Sequence, residues 1–458
     1  MPERVCYNVC GRELYIMKKN VPQWFAKGNI YQINPRTFSP EGDLKSIGKE
    51  LPFLRELGIC AIYLCPIFKE DDSITNWSKR QIASQTNNPK NPYRMNDYFA
   101  IDDEYGTMED LKALIAEAHL LDMKVILDLV YLHIGPNADV LKNYPDFVNR
   151  DEMGNMILGP WNFPMLNYSN LGLREYLWCN MTYYIGALNA DGFRCDVGDQ
   201  VPLDFWQEGT RRIRAIKPDA VMINEGVDPQ YLTDCFDANY AFAWHEAVYA
   251  VLTGEKPADH IRQTHREAAA QLPNGGILLR DLDNHDTVTD WPARAEIAAG
   301  HDGVELAIVL NYTIDGVPML YCGNELADTA KLSMFANRFY MGEFETTDRN
   351  KKGEGDSLRR QKVIKKLNQF RSENDVLVHG QTQWIPNSRE DKVVSFVRCY
   401  AGECILFVGN FSSSECVVDV QMPGYFSGQT LFESMASATN LSPNMMKLPP
   451  YAYKVVKL

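Results

Sequence analysis

Three carboxylates stand where short apolar runs of the chain end. Asp196 ends the sequence DGFRCD, Glu225 ends MINE, and Asp286 ends LDNHD. The proton affinity of an acid at the boundary between a buried strand and a loop can be tuned by its surroundings, which suits it to acid, base or nucleophilic chemistry. One such acid is most often a helix cap or a solvated surface group. Three of them, each followed by a helical segment, predict a catalytic site.

The acids belong to a regular alternation of apolar runs and amphipathic helices that starts at Asn29. The predicted strands are 30–33, 60–64, 125–130, 192–196, 221–225, 233–237, 277–281 and 317–322. Such alternation predicts a parallel sheet with right-handed crossovers, and eight units favour a closed (β/α)8 barrel, the TIM barrel, over an open sheet. In this fold the chemistry is collected at the carboxyl ends of the strands.

Helix signals lie between the strand runs. Thr107 and Asp110 have the spacing of a capping box and predict the start of a helix. Residues at helical spacing from Leu173 to Leu188 predict a second helix whose apolar face is core packing.

Two long segments and a change of pattern divide the chain further. Segments 68–98 and 133–170 are polar or rich in proline, follow strands, and have the length of functional lids or small subdomains. After a predicted helix at 357–371, runs at 393–400, 404–411, 416–422 and 453–458 predict an antiparallel β-sandwich. The predicted domains are an N-terminal extension (1–23), the barrel (24–132 and 171–374), a loop subdomain after the third strand (133–170) and a C-terminal β-sandwich domain (375–458).

Composition excludes several classes of function. The chain of 458 residues is 45% hydrophobic and 23% charged, and it contains no run of eighteen apolar residues that could span a membrane. A net charge of −14 opposes binding to nucleic acid or anionic lipid, because phosphate recognition needs clustered Lys and Arg. A neutral ligand is therefore expected.

The cysteines predict a reducing environment. The eleven cysteines show no paired short spacings, and four of them lie in apolar runs and are expected to be buried free thiols: Cys60, Cys65, Cys195 and Cys322. Together with an odd count and no charged-then-apolar leader, this predicts a cytoplasmic protein. A chain whose signal peptide had been removed would look the same.

Four motifs occur in order along the chain: DLVYLH at 128–133, GFRCD at 192–196, the strand-ending Glu225, and NHD at 284–286. Through these motifs the chain, from about Trp24 to its C-terminus, resembles the α-amylase family of retaining glycoside hydrolases, glycoside hydrolase family 13. Further similarity lies in YQI (31–33), YRMNDY (93–98), FPMLNY (163–168) and GVPMLYCGNE (316–325).

The resemblance implies a mechanism that the three acids can support. Cleaving an acetal with retention needs an ionised carboxylate and a protonated carboxyl about 5 Å apart. Asp196 matches the family's nucleophile, and Arg194 on the same strand face is expected to keep it ionised. Glu225 leaves an apolar strand without an adjacent cation and suits the proton donor. Asp286 is then expected to hold sugar hydroxyls and distort the ring.

A substrate-binding set follows from the same resemblance. His133 and His285 are expected to donate to sugar hydroxyls and Tyr93 to stack on the ring. The set is completed by Arg194, Asn284 and Gln200. Gln200 stands where the family often has His, and it can bond a hydroxyl but cannot titrate. Asp128 is expected to orient Arg194. The alternatives are structural: histidines that only satisfy the fold, Arg194 as a simple partner of Asp128, and Tyr93 as a loop anchor.

Two departures from the family pattern concern calcium. Leu132 replaces an Asn that usually binds the ion, and Met165 replaces an Asp. Apolar side chains cannot ligate a hard cation that takes about six to eight oxygen ligands. The usual calcium site is therefore expected to be absent, and no other cofactor is implied.

The expected activity is that of an α-glucosidase or maltodextrin hydrolase acting on short α-1,4-linked glucans. Transglycosylation uses the same covalent intermediate, and α-1,6 bonds or disaccharides such as sucrose and trehalose remain open as substrates. A non-catalytic carbohydrate-binding homologue is a further alternative, which the presence of all three acids argues against. The expected partner is an oligosaccharide, without nucleic acid or membrane, and the oligomeric state is open.

Overall fold

The computed structural model describes residues 21–86, 88–273, 275–335, 349, 352–422, 428–442 and 444–458. Most of the predicted N-terminal extension, residues 1–20, lies outside the described residues.

The strands of the described residues are, in chain order, β1 (Ile30–Ile33), β2 (Ala61–Leu64), β3 (Phe68–Glu70), β4 (Met95–Ile101), β5 (Lys124–Leu129), β6 (Gly192–Cys195), β7 (Val221–Asn224), β8 (Ala238–Tyr240), β9 (Ile277–Arg280), β10 (Val317–Tyr321), β11 (Gln381–Trp384), β12 (Val393–Tyr400), β13 (Glu403–Asn410), β14 (Cys416–Asp419), β15 (Gln429–Glu433), β16 (Thr439–Asn440), β17 (Met445–Leu448) and β18 (Tyr453–Lys457).

The α-helices are α1 (Gln23–Lys27), α2 (Pro35–Phe38), α3 (Leu44–Glu56), α4 (Lys79–Ala83), α5 (Met108–Leu120), α6 (Val140–Asn143), α7 (Leu171–Gly186), α8 (Leu203–Ile216), α9 (Tyr231–Asp234), α10 (Phe242–Leu252), α11 (Asp259–Gln271), α12 (His285–Asp290), α13 (Ala295–Thr313), α14 (Gly355–Glu373) and α15 (Val376–His379). Short 3-10 helices lie at Pro145–Phe147, Gly198–Gln200 and Asn324–Leu326.

Eight parallel strands close into a barrel in the order β1, β2, β5, β6, β7, β8, β9 and β10, with β10 paired back to β1. The predicted TIM barrel is confirmed. The predicted capping box is also present, because the Thr107 hydroxyl accepts from the Asp110 amide at the start of α5. The predicted second helix is α7, which buries Leu173 and Leu177.

Residues of the barrel strands alternate between the barrel interior and the surrounding helices. Val221 and Ile223 of β7 belong to the apolar cluster inside the barrel, and Glu225 follows two residues later on the same face. Arg194 and Asp196 take the equivalent places on β6, since residues two apart on a strand share a face. The apolar interior therefore ends in polar side chains where the strands end.

The sixth barrel strand lies further along the chain than predicted. The sequence predicts a strand at 233–237, whereas β8 spans Ala238–Tyr240. Phe236 is buried in the core outside this strand, and Asp237 accepts a hydrogen bond from the Met222 amide of the neighbouring strand. Buried apolar side chains occur in helices, turns and strands, so composition alone did not locate the strand.

Both long segments hold structure of their own. In the first, β3 and β4 form a two-stranded antiparallel sheet with α4 between them. The second is held by isolated β-bridges that pair His133 with Met165 and Val148 with Leu166.

The C-terminal part contains a five-stranded sheet, in the order β11-β12-β13-β18-β15, and a three-stranded sheet, β14-β17-β16. They share an apolar core that includes Val397, Leu406, Val418 and Met446. The four predicted runs correspond to β12, β13, β14 and β18, and the sequence missed β11, β15, β16 and β17. Those strands are short, and several of their residues are exposed.

Cys399 and Cys404 form a disulfide between β12 and β13, a pairing that the cysteine spacing did not indicate. The four cysteines expected to be free thiols are free, although Cys60 is only half-buried. Within the described part of the chain, no helix is both long and apolar enough to cross a membrane.

Candidate active site

The three predicted catalytic acids lie together at the carboxyl ends of the barrel strands. Asp196 follows β6, Glu225 follows β7, and Asp286 lies in the first turn of α12 after β9. All three line one cleft. The other residues that line this cleft are Ser78, Arg80, Asn91, Tyr93, His133, Trp161, Phe163, Val197, His285, Met334 and Phe335.

Arg194 connects the carboxylates at the bottom of the cleft. Its buried guanidinium donates through Nη1 to both oxygens of Asp128, at 2.8 and 2.9 Å, and to Asp196 Oδ1 at 3.1 Å. Its Nη2 atom contacts Glu225 Oε1. The expectation that Glu225 has no adjacent cation is therefore wrong. Arg194 pairs with Ile223 in the barrel register, and Glu225 is the next residue on that face of β7.

Asp128 fixes the position of this guanidinium. Besides Arg194, its carboxylate accepts a hydrogen bond from Tyr63 at 2.6 Å and from the Tyr93 hydroxyl at 3.1 Å. Asp128 is almost completely buried, so all these contacts lie away from solvent. Charge-assisted hydrogen bonds of this kind hold the orientation of an arginine side chain firmly.

Asp196 and Glu225 retain protons more readily than ordinary carboxyls. Burial, followed by the charge of Glu225, raises the pKa of Asp196 well above its usual range, although Arg194 opposes the rise. Burial raises the pKa of Glu225 to about 7. The guanidinium alone therefore does not keep Asp196 ionised, contrary to expectation. Because two neighbouring buried carboxylates repel each other, the pair holds on to one proton near neutral pH.

Asp286 behaves in the opposite way. Burial opposes its ionisation, but neighbouring His285 and Arg80 outweigh burial, and the pKa of Asp286 falls below its usual range. Burial lowers the pKa of His285 to about 4, so this ring is neutral at pH 7. The fixed charge of Arg80 is therefore what stabilises the Asp286 carboxylate near neutral pH.

The two histidines are held as neutral rings. The Gln32 side-chain amide donates to His285 Nδ1 at 2.8 Å, so the proton lies on Nε2, which donates to the Tyr93 oxygen at 2.6 Å. His133 Nε2 donates to the Tyr93 carbonyl oxygen at 2.9 Å, and burial lowers the pKa of His133 to about 4. His133 Nδ1 can therefore only accept a hydrogen bond, which reverses the expected direction toward a sugar hydroxyl.

Tyr93 lines the cleft and also anchors its wall. Its ring lies nearly parallel to the ring of His285, with centroids 5.4 Å apart. Its hydroxyl joins His285 to Asp128. Tyr93 thus has the place in the cleft wall that the expected sugar contact needs, and the anchoring role is present as well.

Three members of the predicted binding set do not line the cleft: Arg194, Asn284 and Gln200. The Asn284 side-chain oxygen accepts from the amides of Asp286 and Thr287, both at 2.9 Å, and caps α12. Its amide group donates to Asp281 at 2.7 Å. Gln200 is exposed at the end of a 3-10 helix.

The sequence analysis missed several residues of the site, among them Gln32, Tyr63, Arg80 and Val197. Val197 has φ +43° and ψ +44°, a left-handed conformation that is strained for a β-branched residue. In that conformation its amide donates to Glu225 Oε2 at 2.9 Å. Gln32 lies in the YQI motif, but nothing in its neighbourhood indicated a bond to a histidine 253 residues away.

The positions where family members usually bind calcium do not fit that ion. Leu132 is buried in the apolar core, and Met165 packs against the same core. Neither side chain offers the oxygen atoms that calcium requires. In the ranges that the structure describes, no group of three or more His, Cys, Asp or Glu side chains is placed to hold a metal ion.

Comparisons with known proteins agree with this geometry. The family model of the α-amylase catalytic domain matches residues 21–152. A cyclomaltodextrinase of Thermoanaerobacter pseudethanolicus is 25% identical over 455 residues, covering 88% of this chain and 74% of that protein. The intracellular maltogenic amylase of Bacillus subtilis is 25% identical, covering 85% and 69%. The crystal structure of a noncanonic maltogenic α-amylase from Thermotoga neapolitana has a TM-score of 0.76 at 24% identity, covering 95% and 97%.

Proposed function

Because the chain belongs to the α-amylase family of glycoside hydrolases, we propose that it hydrolyses the α-1,4-glucosidic bonds of maltooligosaccharides with retention of configuration. One observation carries the proposal: Asp196 and Glu225 lie on neighbouring strands against a single guanidinium, with Asp286 in the same cleft. The names of the cyclomaltodextrinase and maltogenic amylase relatives point to maltodextrins as the substrate class.

In the first step, the Asp196 carboxylate attacks the anomeric carbon and the bond to the leaving oxygen breaks. Glu225 gives its proton to that oxygen, and the shortened sugar leaves as an alcohol. The Asp196–Glu225 pair retains one proton near neutral pH. This step takes that proton from Glu225, and Asp196 is the ionised member of the pair.

In the second step, water attacks the anomeric carbon, the ester bond to Asp196 breaks and frees its carboxylate, and Glu225 takes up one proton of the water. Asp196 is uncharged as an ester at this stage, while Glu225 is an ionised base. The contact between Arg194 and Glu225 stabilises that ionised form. Arg194 thus stabilises the Asp196 carboxylate in the first step and the Glu225 carboxylate in the second. Two inversions at the anomeric carbon give net retention.

Asp286 and its neighbours would hold the sugar being transferred. Asp286 is ionised and accepts hydrogen bonds from hydroxyls, and His133 Nδ1 can do the same. Trp161 and Phe163 give the cleft apolar surfaces on which sugar rings stack. No calcium ion at Leu132 and Met165 takes part in the proposal.

Chromatography of maltoheptaose after incubation with the protein tests the proposal. Wild type is expected to give shorter maltooligosaccharides, and Asp196→Asn to give none. Asp204→Asn is the matched control, because this acid pairs with Arg174 on the surface of α8 and is expected to leave activity unchanged. Products longer than the substrate would indicate transglycosylation instead, and no change in any product would contradict the proposal.

A further inference from the structure

Arg80 bridges the cleft from a segment outside the barrel. It lies on α4, between β3 and β4, and its Nη2 atom donates to Asp286 Oδ1 at 2.7 Å. Its Nε atom donates to Asp290 Oδ1 at 3.0 Å. Asp286 and Asp290 are four residues apart on α12 and so share one face of that helix. One planar guanidinium therefore joins two acids of the barrel to the first long segment, and we call this contact the Arg80 bridge.

The segment that carries Arg80 is held in place by buried hydrogen bonds. Ser78 caps α4 by accepting from the Gln81 amide, and the buried Gln81 side chain donates to the Asn88 carbonyl oxygen at 3.1 Å. The buried guanidinium of Arg94 donates to the Thr75 carbonyl oxygen at 3.0 Å and to Asp71 at 2.9 Å. Arg80 is thus presented from a fixed support, although its own side chain is partly exposed.

The chemistry of the cleft places the Arg80 bridge on one side of the bond to be cleaved. Glu225 must lie beside the leaving oxygen in order to protonate it. Asp286 holds the sugar that is transferred to Asp196. Because Arg80 binds Asp286 directly, it lies next to the place of the transferred sugar.

From this placement, and resting on the proposed function, we infer that the Arg80 bridge ends the cleft beyond the transferred sugar, so the protein removes single glucose units from the non-reducing ends of chains. A chain continuing past Asp286 would have to displace two charge-assisted hydrogen bonds of Arg80. Arg80 is then a specificity-determining residue, and the substrate class is chain ends in preference to internal bonds.

Two forms of maltoheptaose distinguish attack at chain ends from attack at internal bonds. The non-reducing end is free in one form and blocked by a 4,6-ethylidene group in the other. Both are followed by chromatography, with hydrolysis of p-nitrophenyl α-glucoside as a measure of the chemistry itself. Wild type is expected to release glucose from the free substrate and to leave the blocked one intact. Equal consumption of both by wild type would overturn the inference while leaving the proposed function in place. Failure on all three substrates would reject the proposed function instead.

Two variants test whether the Arg80 bridge causes the preference for free chain ends over blocked ones. Arg80→Ala is expected to raise the rate on the blocked substrate relative to the free one by at least about tenfold, since two charged hydrogen bonds are lost. Asp290→Ala is a second variant that breaks the bridge without touching Asp286, and it is expected to change the ratio in the same direction. Lys79→Ala, an exposed neighbour on α4, is the matched control. An unchanged ratio in both bridge variants would overturn the role of Arg80.

Discussion

The guanidinium of Arg194 contacts Glu225 on the neighbouring strand while it also donates to Asp196 on its own strand. One permanent positive charge is thus shared between the nucleophile Asp196 and the proton donor Glu225. Either acid can be the ionised one at little cost in free energy, because Arg194 contacts both acids without moving. The first two predictions below depend on the proton that this pair of acids retains.

The first concerns pH. We expect kcat/KM for p-nitrophenyl α-glucoside to fall as the pH rises through about 7, the pKa of Glu225. Glu225 must be protonated to donate, and above its pKa the protonated fraction falls about tenfold per pH unit. The measurement is a profile of kcat/KM between pH 5 and 9, and a flat profile across about pH 7 would contradict the assignment.

The second prediction separates proton donation from nucleophilic attack. Glu225→Gln is expected to lower kcat/KM for maltoheptaose by about a hundredfold to ten-thousandfold, the usual contribution of a general acid. Its effect on formation of the glycosyl ester from α-glucosyl fluoride should be much smaller, because fluoride leaves without a proton. Fluoride release in the first turnover measures that step. Equal losses on both substrates would show that Glu225 does not protonate the leaving group.

The third prediction concerns Asn284, which caps α12 and does not line the cleft. Asn284→Ala is expected to lower the free energy of unfolding by about 1 kcal/mol through the lost cap. It should lower kcat more than it raises KM, because Asp286 in the first turn loses its support. Thermal unfolding and steady-state kinetics are the measurements, and Asn284→Ser, which keeps a capping oxygen, is the control. A raised KM with unchanged stability would favour direct substrate binding.

The fourth prediction concerns metal. Since Leu132 and Met165 offer no oxygen ligands, a chelator such as EDTA is expected to leave the melting temperature unchanged. A large fall in the melting temperature, restored by added calcium, would sink this expectation.

Much of the barrel could be predicted because its strands repeat a local pattern. An apolar run, a strand-ending acid and a following helix are visible within a short window, and this located Asp196 and Glu225. The contact of Arg194 with Glu225 depends on the register between two strands, which no local window contains. The sixth strand was misplaced because its apolar neighbours are buried without being in the sheet.

The parts of the site that lie outside the barrel were harder to predict. Arg80 sits in a polar segment and meets Asp286 some two hundred residues later. Neither residue carries a periodic signal that points to the other. Asn284 was assigned to the substrate on the family motif, although a capping residue followed three positions later by Thr287 is itself a helix-start signal.

With the Arg80 bridge, bond breaking and the choice of bond along the substrate depend on different parts of the protein. The reacting acids stand on barrel strands, whereas the residue proposed to set the site of attack along the chain stands on an insertion between strands. Substitutions in that insertion can change which bonds are reached while the barrel strands that position Asp196 and Glu225 stay intact. Mutations confined to the insertion can therefore convert an enzyme that acts on chain ends into one that cleaves internal bonds, without changes to the barrel strands that carry the reacting acids.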